Sequence, residues 1–165
     1  MHSPSSKIPA GHSYLFTDDG IAGAFAALRY LLVTGHRGLV LSKTQPDMIP
    51  PRYAIDCPII WIVSKPPPGG KAITVDPERL GRVYSMIGDF VKNNPGAVVL
   101  LEGLDILIKK NDFPSVMKAL QMINESIAIS KSIFLLPVDP KSFNPQEFSF
   151  LEREIPLFEY DVDLL

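Results

Sequence analysis

The stretch Ala97-Val-Val-Leu-Leu-Glu102-Gly-Leu-Asp105-Ile-Leu-Ile108 decides the fold. An apolar run of strand length ends in an acid, a small residue and, after one leucine, a second acid. Nothing in residues 97–101 alternates polar with apolar, so both faces of this strand are covered, as in the interior of a parallel sheet. The run Ile59-Ile-Trp-Ile-Val63 has the same character and is expected to be a second central strand.

Working outward, strands are expected at residues 13–16, 38–42, 132–137 and 157–160. Helical periodicity fills the gaps. Asp18 or Asp19 caps a helix to about Val33 with Ile21, Phe25, Leu28 and Leu32 inside. Asp76-Pro77-Glu78 reads as a helix start, with Leu80, Val83, Tyr84, Ile87 and Phe90 on the buried face. Asp112 with Pro114 opens a helix that buries Val116, Leu120, Ile123 and Ile127. Asn144-Pro-Gln-Glu147 is a capping box opening a short helix to about Glu154. Alternation of strand and helix implies right-handed crossovers, hence an α/β architecture of three layers. Its central sheet is mostly parallel, with about six strands and helices on both faces. Residues 1–11 are expected to be a flexible N-terminus and 12–165 a single domain.

Composition narrows the function classes. A hydrophobic content of 46% suits a sheet covered on both faces. The net charge of −2, with no basic stripe, leaves no electrostatic footprint for nucleic acid. One cysteine, Cys57, cannot form an internal disulfide and is expected to be a buried thiol, and three scattered histidines give no zinc pattern. No apolar run approaches membrane-spanning length, so the expected setting is the cytoplasm, without membrane partner.

Several segments together carry a family likeness: Gly11-His-Ser-Tyr-Leu-Phe16, Gly35-His-Arg-Gly-Leu39, Ser42-Lys-Thr-Gln-Pro46, Pro58-Ile-Ile-Trp61, Val99-Leu-Leu-Glu-Gly-Leu-Asp105, Asn111-Asp-Phe113, Leu136-Pro-Val-Asp-Pro140 and Leu151-Glu-Arg-Glu154. On these the chain resembles an archaeal family known only as domain of unknown function 835. That family is similar in turn to KaiC-like and other RecA-type ATPases. The resemblance implies a RecA/KaiC-like fold and an association with sensory modules. One departure is visible: where the family usually reads Asp-Gly-Leu-Glu, this chain reads Glu102-Gly103-Leu104-Asp105.

The catalytic parts of such an ATPase are missing. A phosphate loop needs glycines, a Lys and a Ser or Thr between the first strand and helix. This chain has Thr17-Asp-Asp-Gly-Ile-Ala-Gly23 there, with two acids and no Lys. KaiC-like enzymes end their second strand with paired glutamates. Here it ends Ser42-Lys43-Thr44-Gln45-Pro46. Gly70-Lys71 lacks the rest of a phosphate loop, and no histidine stands where it could relay a proton to Ser13, Ser42, Ser64 or Ser132. Trp61 on its apolar strand reads as core.

C-terminal strand ends of a parallel sheet share one edge, where ligands bind. Asp18, Asp19, Lys43, Arg52, Lys65, Glu102, Asp105 and Asp139 are expected to gather there. Glu102 and Asp105 read either as a pair that binds a cation or a partner's arginine or as a solvated strand end capping the next turn, and charge reversal at both is expected to leave folding nearly intact and to weaken the partner. The leading expectation is a non-enzymatic signalling or scaffold domain, a pseudo-ATPase frame kept for protein interaction, without cofactor or metal and able to form a homodimer. The alternative is an atypical nucleotide or small-ligand sensor using the same crevice.

Overall fold

The structure is a computed structural model, and it describes residues 8–17 and 22–159. Six parallel strands form one sheet: β1 (His12–Phe16), β2 (Gly38–Ser42), β3 (Ile59–Ile62), β4 (Ile73–Val75), β5 (Val98–Glu102) and β6 (Ile133–Pro137), in the spatial order β1-β6-β5-β2-β3-β4. Among the described residues the helices are α1 (Ala22–Val33), α2 (Ile49–Tyr53), α3 (Leu80–Asn93), α4 (Leu104–Lys110), α5 (Phe113–Ser130) and α6 (Pro145–Glu154).

Alternate residues of the central strands feed two cores. Leu39, Leu41, Val99, Leu101, Phe134 and Leu136 pack with α3, α4, α5 and α6 on one face. Val40, Val98, Leu100, Ile133 and Leu135 pack with α1 and Ile49 of α2 on the other. Every residue of β2, β5 and β6 is buried, which is why their sequences carry no polar alternation. Asp112 and Asn144 cap as their sequences require: Asp112 accepts from the Ser115 amide at 2.8 Å, and Asn144 and Glu147 close a reciprocal box.

Several expectations are corrected. Of the strand expected at 157–160, residues 157–159 are not a strand, Leu157 making only an isolated bridge to Leu15, and Tyr160 lies outside the described residues. The sixth strand is β4, held by the Val63 amide on the Val75 carbonyl and forming the opposite edge. Asp76 caps a turn by accepting from the Glu78 amide at 2.9 Å, and α3 begins only at Leu80. Helix α4 fills what reads as a connection. Residues 8–11 are not loose: Ile8 is buried, and the Gly11 amide bonds the Ser132 carbonyl. Trp61 is not core; β3 buries only Ile60 and Ile62 fully, because α1 packs on β5 and β6 and leaves the Trp61 face of β3 to the short 3-10 turn at residues 46–48. Cys57 is half-buried against the α1-side core, and its thiol is pushed up to about 11 by burial and then by the neighbouring Asp56 charge, so it stays protonated. The helix cap read at Asp18 or Asp19 lies outside the described residues.

Candidate functional site

Strand register builds the site. Ser42 pairs with Glu102 across β2 and β5, and with Trp61 across β2 and β3. Side chains alternate, so Ser42 and Glu102 both point to the α1 face, at the C-terminal end where α1 no longer covers the sheet. Beyond this rung lies an open cleft of about 630 Å³, lined by Ala22, Lys43, Thr44, Arg52, Tyr53, Glu102–Asp105, Pro137–Asp139, Ser142 and Phe143.

Five of the residues expected at this edge therefore meet: Lys43, Arg52, Glu102, Asp105 and Asp139. Lys65 is exposed and takes no part in the lining, and Asp18 and Asp19 lie outside the described residues. Sequence reasoning missed Thr44 and Tyr53; a hydroxyl one residue beyond a strand end was the available signal for Thr44.

Glu102 is the anchor. Only 3% of it is exposed, so its carboxylate needs partners. Oε1 accepts from the Ser42 hydroxyl at 2.6 Å and the Thr44 hydroxyl at 2.8 Å. The Ser42 hydroxyl oxygen accepts in turn from the Thr44 amide at 3.0 Å. Glu102 is thus neither solvated nor a cap, and α4 begins after Gly103 without a side-chain cap. Set beside the expectation that charge reversal at Glu102 and Asp105 spares folding, this geometry puts a folding cost on reversal at Glu102.

Lys43 stands between the acids. Its Nζ donates to Asp105 Oδ2 at 2.9 Å and lies 3.9 Å from Glu102 Oε2. Burial alone pulls its ammonium down. The hydrogen bond to Asp105 and the charges of Asp105, Glu102 and Asp139 outweigh that, and hold it above the ordinary lysine range. Gly103, at φ +139°, lets the chain turn away beneath Lys43. Asp139 lines the far wall and also caps the turn after β6, Oδ1 accepting from the Lys141 amide at 2.9 Å. Arg52 lies over the Tyr53 ring, 5.5 Å from its centre, and Tyr53 stacks on Phe25. Among the described residues no group of three His, Cys, Asp or Glu is placed to hold a metal ion. No described helix is long and apolar enough to cross a membrane.

Residues 24–155 match the family described as protein of unknown function (DUF835), and the chain belongs to that family. No curated protein matches it. The fold is RecA/KaiC-like, and solved structures share it. The flagellar accessory protein FlaH from Methanocaldococcus jannaschii superposes with a TM-score of 0.57 at 13% identity, covering 93% of this chain and 75% of that one. PH0250 from Pyrococcus horikoshii OT3 gives 0.58 at 10% identity, covering 91% and 81%. At these identities the likeness is one of fold.

Proposed function

We propose that this protein is a non-catalytic interaction domain, a pseudo-ATPase frame in a signalling or scaffold assembly, whose strand-end cleft receives a segment of a partner protein. The observation that carries this reading is the internal pairing of the cleft. Lys43 already sits between Asp105 and Glu102, and two hydroxyls hold Glu102. The sequence supplies Thr44 and Gln45 where a KaiC-like enzyme has its paired glutamates, one of them water-activating, and two acids where triphosphate would rest. Carboxylates at that position repel phosphate instead of neutralising it. FlaH is called an accessory protein, and a supporting role of that kind suits a frame built this way.

A second reading, a sensor of a nucleotide or small charged ligand, draws on the size of the cleft. About 630 Å³ lies within the range of small-molecule sites, and the lining carries both signs of charge.

Calorimetry with Mg²⁺-ATP and a nucleotide panel separates the two. The interaction reading expects no ATP hydrolysis and no dissociation constant below about 1 mM. Micromolar affinity would transfer the cleft to the sensor reading, and turnover would remove the non-catalytic one. A photo-crosslinker at the exposed Ser142 should in addition yield one defined protein adduct in cells, lost in Asp105→Lys.

A further inference from the structure

A second concavity lies far from this cleft, between α3 and α5. The two helices pack side by side and lead into the parallel strands β5 and β6, so they run in the same direction. The groove between them, about 630 Å³, ends at Pro95 and Lys131, toward the N-terminal ends of the strands. Its floor is low because Gly88 meets Ser126 there: a Cβ on Gly88 would lie 4.0 Å from the Ser126 hydroxyl oxygen. One lip carries Ile129, 78% exposed, and Met122, 40% exposed, lies two turns earlier on the same helix.

We infer that this groove is a homodimer interface, in which the α5 ridge of one copy enters the groove of a second copy around a two-fold axis. The charges along the groove choose the occupant. Lys92 in the last turn of α3 and Lys131 at the end of α5 make one end basic. Asp89, one turn before Lys92, makes the stretch before it acidic. A two-fold axis across the groove sets the two copies antiparallel, so the basic end of each meets the acidic stretch of the other. A surface patterned this way is complementary to itself, the requirement of an isologous contact. Ile129 then loses its exposure against the partner's Gly88 and Ser126, where small side chains leave room for it. The contact lies away from the strand-end cleft, so both cleft copies stay open and the inference stands independently of the function proposed above.

The test is the mass of the full chain by sedimentation equilibrium, from nanomolar to high micromolar concentration. The expected result is twice the 18.2 kDa monomer at micromolar concentration. Ile129→Glu should raise the dissociation constant at least about tenfold, and Met122→Glu is a second exposed probe of the same ridge. Val33→Glu, at a 78% exposed site on α1, should change nothing. Asp89→Lys should weaken the dimer and Asp89→Lys/Lys92→Asp should restore it. Circular dichroism verifies that each variant is folded. A monomer throughout overturns the inference, including the case in which the groove serves a different protein. A dimer indifferent to both ridge variants overturns it too, and indifference to Asp89→Lys removes the antiparallel arrangement.

Discussion

Ser42 and Glu102 are register partners on neighbouring strands, and the Ser42 hydroxyl donates a 2.6 Å hydrogen bond to the buried Glu102 carboxylate. Ser42→Ala should therefore cost about 1.5–3 kcal/mol, the value of a hydrogen bond to a charged group, and it also strips the Thr44 amide of its acceptor. Glu102→Gln keeps an oxygen for both hydroxyls and should be milder. Glu102→Lys buries an ammonium beside Lys43 and should cost about 3–5 kcal/mol. Urea denaturation ranks the three, and a stable Glu102→Lys protein would contradict the geometry.

Gly103→Ala should destabilise by about 1–3 kcal/mol, because φ +139° is closed to side chains and the new Cβ would sit 3.4 Å from the Lys43 Cβ. For a chain of this size that is a drop of about 2–4 °C per kcal/mol in thermal midpoint.

Two helix ends hold non-glycine residues in the left-handed region, Ala54 at φ 56° and Lys131 at φ 54°. Replacing either by glycine relieves the clash of Cβ with the following carbonyl and should stabilise the fold by about 1 kcal/mol. A fall in midpoint would mean that these positions are held by contacts of their side chains.

Lys43 makes stability depend on alkaline pH. Its folded pKa is raised, so its contribution is complete below the ordinary lysine pKa and disappears as pH rises through the folded value. The stability difference between wild type and Lys43→Met should hold constant from neutral pH to about pH 9 and shrink as pH rises past the ordinary lysine pKa of about 10.4. A difference that grows with alkalinity would reverse the assignment. The side chain is 41% exposed, so salt should weaken the effect.

The frame was legible where one local signal sufficed. Unbroken apolar runs marked β2, β5 and β6, and the caps at Asp112 and Asn144 announced α5 and α6. Sheet edges were not legible, since the short runs at 73–75 and 157–160 both carry β-favouring residues, and the choice depends on which neighbour offers a free ladder. Trp61 misled because its strand is apolar throughout, and nothing local tells that α1 packs on β5 and β6 instead of β3. The strand-end gathering of Lys43, Arg52, Glu102, Asp105 and Asp139 followed from parallel topology alone. The partners of Glu102 did not, because the Ser42–Glu102 bond depends on a register between segments that the sequence does not juxtapose.

The strand order also fixes when the molecule can be completed during synthesis. Of the six strands His12–Phe16 is made first, yet its ladder partner is β6, and its other edge is closed by residues 156–158 through Leu15. Until those segments emerge, the earliest strand has an unpaired edge on each side, and its aromatic residues Tyr14 and Phe16 lack the Phe158 ring that later packs on both. A chain lacking everything from residue 133 onward therefore leaves both edges of β1 unpaired, and the side of β5 that β6 takes is open as well.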